Sequence, residues 1–166
     1  MNQTVVLAVL ALTWGCAQRS TPADASGNRA EGRYRVGDPG EGWRAQRPGG
    51  ADKAWFHPQL GAAIYTDSNC GRRYVDDRLP QLAKHLTHGI VTDGPLSELD
   101  GTLDGRASLT STFDGRLDGV EIKLGVVVTK KHQCTYDLLL VSPPDVFDNA
   151  WTAFESVVQG FAVRRP

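Results

Sequence analysis

Two periodicities alternate along the chain. Arg33 to Val36, Ala54 to His57 and Ala62 to Ser68 are short runs of aromatic and β-branched residues separated by turn formers such as Pro48-Gly49-Gly50 and Gly61, which predicts the first strands. From Asp76 to Gly89 the period lengthens. Leu79, Leu82, Ala83 and Leu86 recur at helical spacing, with Asp76 or Asp77 placed to cap the start and Gly89 to end the helix. Alternation returns over Leu96 to Leu103, Arg106 to Phe113 and Val120 to Thr129, and the pairs Asp104-Gly105, Asp114-Gly115 and Asp118-Gly119 suit tight reversals. A turn at Lys130 to Gln133 leads to Cys134 to Val141, whose YDLLLV run predicts a central strand covered on both faces. Ser142-Pro143-Pro144 stops that strand and Asp145 is a candidate N-cap. Phe147, Trp151, Phe154, Val158 and Phe161 then form a helical stripe expected to be core. The order is three strands, a helix, four strands and a closing helix. This predicts an α+β fold in which a mainly antiparallel sheet is covered by helices.

The N-terminal pattern differs from both. Val5 to Leu12 is an unbroken apolar run, shorter than the roughly 20 residues that span a bilayer as a helix. It suits the core of an export signal. The stretch Leu12-Thr13-Trp14-Gly15-Cys16 resembles a bacterial lipobox, on the match of Gly15 and Cys16. That resemblance implies a signal peptide over 1–15, a diacylglycerol thioether on Cys16, and a membrane anchor. Ala17, where Asp would signal retention at the inner membrane, then implies the periplasmic face of the outer membrane. Ordinary cleavage after Ala17, or after Ala25, is the rival reading and would leave a secreted periplasmic protein. Residues 16–31 are small, polar and aperiodic, which predicts a tether with a root-mean-square reach of roughly 20 Å. Residues 32–166 then form one globular domain.

Within that domain, Gly105-Arg106-Ala107 leading into a strand, the Tyr136-Asp137-Leu138-Leu139-Leu140 strand, and the closing helix with Phe147, Phe154 and Gly160-Phe161 resemble the PsbP-like fold family. The match runs from about Tyr34 to Phe161. It implies a PsbP-like sandwich, and because members are mostly non-catalytic subunits and exported factors, it implies binding rather than turnover.

Charge and candidate chemistry narrow the picture further. With 18 basic and 19 acidic residues the chain lacks the basic excess of a general nucleic-acid binder, so no nucleic-acid partner is expected. With Cys16 assigned to lipid, Cys70 and Cys134 remain as a disulfide pair for an oxidising compartment. A competing reading makes Cys134 a nucleophile with His132 as base and Asp137 as its orienter. His85 and His88 stand three apart on the expected first helix without further ligands at metal spacing, so no metal is expected. There is no nucleophile elbow and no phosphate loop, and no cofactor is expected. A Cys70–Cys134 bond would draw Arg72 and Arg73 beside Lys130, Lys131 and His132, a candidate partner-binding cluster. The leading expectation is thus a non-catalytic, lipid-anchored envelope protein that binds another envelope component. A periplasmic carrier of a small apolar ligand and a Cys/His enzyme are the alternatives.

Overall fold

A computed structural model describes residue 30 and residues 33–47, 49–70 and 76–164. Its strands are β1 (Tyr34–Arg35), β2 (Arg44–Gln46), β3 (Lys53–His57), β4 (Ala62–Asn69), β5 (Ser97–Leu103), β6 (Arg106–Leu117), β7 (Val120–Lys131), β8 (Cys134–Ser142) and β9 (Ala162–Val163). The helices are α1 (Leu79–His85) and α2 (Phe147–Gln159), the latter entered through a single 3-10 turn, Pro144–Val146. Seven strands form one sheet in the order β2-β3-β4-β8-β7-β6-β5, and every neighbouring pair is antiparallel. The protein has the expected α+β architecture, an antiparallel sheet covered by helices.

Strand periodicity sorts the core onto two faces. Ile64 of β4 pairs with Leu140 of β8, and Leu138 of β8 pairs with Val127 of β7. These residues pack with Phe147, Ala150, Phe154 and Val157 of α2. The intervening residues point the other way. Leu139 and Val141 of β8 lie beside Val126 and Leu124 of β7, and that face meets Leu82 and Ala83 of α1 together with Leu109 and Phe113 of β6. The apolar run Leu124 to Val128 is continuous because each face of β7 has its own helix to meet. Of the helical stripe, Phe147, Phe154 and Phe161 are buried, while Trp151 and Val158 are partly so.

The structure corrects several local expectations. The first strand does not join the main sheet, because Tyr34 and Arg35 pair with Val163 and Ala162 in a separate two-stranded ribbon. That ribbon seats Tyr34 against Tyr136 and Phe161, with ring centroids 5.3 and 5.7 Å away. Both β2 and β9 lack the apolar alternation that would announce them. Ala30 is buried and donates its N–H to Ser68 Oγ at 2.8 Å. Helix α1 begins at Leu79 rather than Asp76, since Pro80 has no N–H and is tolerated only in a first turn. Neither Asp76 nor Asp77 caps it; Arg78 holds the N-cap position. Asp145 likewise falls inside the 3-10 turn and makes no capping bond.

The three Asp-Gly pairs divide two to one. Asp104-Gly105 (φ 48° and 74°) and Asp118-Gly119 (φ 51° and 83°) form the expected left-handed two-residue turns. Asp114-Gly115 instead continues β6, opposite Lys123 and Ile122 of β7. Gly115 is small for another reason: a Cβ there would stand 2.6 Å from Ile90 Cγ2, where the chain after α1 crosses the sheet.

Candidate functional site

One end of the sheet carries most of the residues singled out in the sequence. Strands β4 and β8 pair as far as Asn69 and Thr135, so the next residues, Cys70 and Cys134, stand opposite each other. They form a disulfide, with Cα atoms 3.9 Å apart. Closing this loop stabilises the fold by up to about 4 kcal/mol, if loss of denatured-chain entropy is the whole effect. The thiol of Cys134 is therefore engaged. Asp137 lies an odd number of residues along the same strand, so it projects from the opposite face. His132 sits with Gln133 in the two-residue β7–β8 turn, at φ 51° and 62°, so Cys134, His132 and Asp137 do not assemble as a triad.

The two lysines of the expected basic cluster are employed in holding the fold. Lys130 and Lys131 are adjacent in β7 and leave it on opposite faces. Lys130 Nζ donates to the Asp77 carbonyl at 2.6 Å, on the approach to α1. Lys131 Nζ meets Asp104 Oδ2 at 2.6 Å and the Asp104 carbonyl at 2.8 Å. Asp104 Oδ2 also accepts the Val163 N–H, so one carboxylate ties the β5–β6 turn to β7 and β9. The Lys131 hydrogen bond, aided by that N–H, holds the Asp104 carboxyl below the usual carboxylate range despite some burial. Arg72 and Arg73, the other half of the cluster, lie outside the described residues, as does Cys16. His85 is on the last turn of α1, 3.9 Å from Asp77, and His88 lies in the turn beyond it. Among the described residues no three His, Cys, Asp or Glu side chains come together as a metal site.

Two features escaped the reading of the sequence. Asp137 lies on the α1 side of β8, opposite Asp67 of β4 and Val128 of β7. Burial, reinforced by the Asp67 charge, pushes its carboxyl up to about 7, and Oδ1 has no hydrogen-bond partner among the described residues. The signal was present as a lone acid inside YDLLLV.

The second feature is the sheet edge formed by β5 and the segment before it. Val91 bridges Arg116 and Leu96 N–H bonds the Thr112 carbonyl, so the edge runs alongside β6 from Val91 to Leu103. Three of its large apolar side chains stand in solvent: Val91 is 76% exposed, Leu96 58% and Leu99 71%, whereas Leu103 packs toward the core. Asp93, Glu98 and Asp100 are exposed too and none forms an ion pair among the described residues. From Val91 to Gly105 the chain has four acids and no Lys or Arg, and Asp104 is the only one of the four held by a lysine among the described residues. That charge run was legible in the sequence; its position at an edge was not. A groove of about 330 Å³ lies between this edge and α1, lined by residues that include Lys84, Asp93, Glu98 and Phe113. The space between α2 and the sheet is filled by Phe147, Phe154, Leu138 and Leu140.

No protein-family model and no curated protein matches the chain. Solved structures do. LpqN of Mycobacterium tuberculosis, a protein involved in cell envelope biogenesis, aligns with a TM-score of 0.55 and 13% identity, over 80% of this chain and 83% of its own. A Pseudomonas aeruginosa protein of unknown function, described as a candidate regulator, aligns at 0.50 with 17% identity, over 86% and 88%. PsbP from the cyanobacterium Synechocystis aligns at 0.49 with 12% identity, over 74% and 82%. At such identities the likeness is one of fold. Among the described residues no helix is long and apolar enough to cross a membrane.

Proposed function

We propose that this is an exported, non-catalytic protein of the bacterial cell envelope, tethered through a lipid on Cys16 and working by binding another envelope component. The observation that carries the reading is the Cys70–Cys134 disulfide. Structural disulfides form and persist outside the reducing cytosol, and this one joins two central strands of the sheet. The apolar run Val5 to Leu12 and the Gly15-Cys16 pair supply the matching route of export. LpqN, which shares the fold, is involved in cell envelope biogenesis. Binding is favoured over turnover because the one catalytic arrangement suggested by the sequence is dismantled by the disulfide and by the opposed faces of Cys134 and Asp137.

Fractionation of cells producing the full chain tests the proposal. Wild-type protein should partition with membranes, Cys16→Ser should release it, and non-reducing mass spectrometry should find Cys70 and Cys134 blocked to alkylation. Soluble wild-type protein would refute the anchor. Free thiols at both cysteines would refute the exported state.

A further inference from the structure

We propose that the edge from Val91 to Leu103 is a strand-docking site for an extended basic segment of a partner protein, recognised as a pattern of cationic, apolar and cationic residues in alternation. This rests on the binding role proposed above and names the chemistry of the partner. An edge strand leaves alternate N–H and C=O groups facing no neighbour, and a peptide in extended form can complete that ladder. The opposite edge is a poor competitor, since β2 has only three residues, Arg44–Gln46, and one of them is basic.

Charge decides among the occupants. Glu98 and Asp100 share one face of β5, beside Ser111 and Leu109, and Leu99 projects from the other face beside Thr110. A second copy of this chain would have to pair β5 antiparallel to itself. Centring that pair on Glu98, Leu99 or Asp100 sets carboxylate against carboxylate, which is destabilising in a cross-strand pair. The same acids that repel a second copy favour a strand with Lys or Arg two residues apart on one face and an apolar side chain between them on the other. Asp93, beside Glu98 on the wall of the groove, extends the acidic surface toward the start of the edge. The exposed Leu96 and Leu99 supply apolar area that such a partner would cover.

The test uses the full-length mature protein and a short blocked peptide alternating valine and lysine. Backbone NMR and amide exchange should show binding with new protection confined to β5 and the segment before it. Affinity should fall as salt rises. Glu98→Lys with Asp100→Lys should weaken the peptide by about tenfold or more and admit its glutamate-for-lysine counterpart. The wild-type protein should not bind a lysine peptide whose alternate amides are N-methylated, because the ladder is then lost while the charge remains. This arm stands even if the charge-reversed variant folds poorly. Binding that survives N-methylation, protection centred elsewhere, or a concentration-dependent dimer through β5 would overturn the proposal. So would β5 amides already protected without peptide and exposed by Arg19→Glu with Arg29→Glu, which would assign the edge to the chain's own tether. Failure here leaves membrane partitioning and thiol state unaltered, so it is separable from failure of the export reading.

Discussion

Strands β8 and β5 lie in the same sheet and both carry leucines and an aspartate, yet their environments are opposite. In β8, Leu138 and Leu140 are buried under α2, Leu139 packs toward the α1 side, and Asp137 is half-buried with its carboxyl pushed up to about 7. In β5, Leu99 stands in solvent and Asp100 is exposed. The difference comes from coverage: the helices pack mainly on β4, β6, β7 and β8. Stability therefore resides in the centre, and the edge retains surface that can be used for recognition.

The sharpest way to separate the two regions is to damage the centre. Phe154→Ala removes a fully buried ring between α2 and the sheet and should cost about 3–5 kcal/mol in urea unfolding. Replacing Cys70 and Cys134 together by Ala should cost about 2–4 kcal/mol, with a lower melting temperature and the same sheet spectrum. A smaller difference between wild-type and the double variant would mean that the disulfide adds little to a sheet already closed by β4–β8 pairing.

Asp137 gives a pH-dependent contrast. Its carboxyl holds a proton in the folded state that the unfolded chain releases above 3.8, so this group's contribution to stability is fully present in acid and is lost as pH rises. The fall should approach about 1.4 kcal/mol per pH unit between the unfolded value and about 7, then level off. Asp137→Asn should remove that slope in denaturation measured across the same range, whereas Asp100→Asn on the exposed strand should not. An unchanged slope in Asp137→Asn would place the proton elsewhere.

Lys131→Met tests the clasp between the two regions. Losing the Asp104 contact should cost about 1 kcal/mol and speed amide exchange at the β5–β6 turn and β9 ahead of the centre. The smallest effect belongs to Leu99→Ala, expected to change stability by no more than about 0.5 kcal/mol while weakening the valine-lysine peptide. A large stability loss would show Leu99 to be a packing residue after all.

Much of the central region was legible from local pattern. The YDLLLV run, the alternation of β7 and the stripe of α2 each contain enough apolar positions to specify an element and its buried side, because burial demands are periodic. The pairing of Cys70 with Cys134 followed from the cysteine count and was placed correctly at matching strand ends. Turn chemistry was legible only where it acted locally. Asp104-Gly105 and Asp118-Gly119 turn the chain, but Asp114-Gly115 does not, because the glycine answers to the close approach of Ile90. Of the candidate basic cluster, Lys130, Lys131 and His132 lie at one end of the sheet by proximity in sequence. Alternation then sent the two lysines to different faces and different partners.

By itself, then, the amino-acid sequence determined the long strands of the sheet and its two helices, which of their residues seek burial, and which cysteines can meet, but not the short strands β2 and β9. Each of these follows from local periodicity or composition. Only the tertiary structure decided that Tyr34–Arg35 leaves the sheet to pair with Ala162–Val163, that α1 and α2 take opposite faces, and that Asp137 is half-buried while Glu98 and Asp100 are exposed. An acidic residue in a strand carries no local mark of whether that strand will be central or peripheral. That is set by strand order, which depends on contacts between residues far apart in the chain.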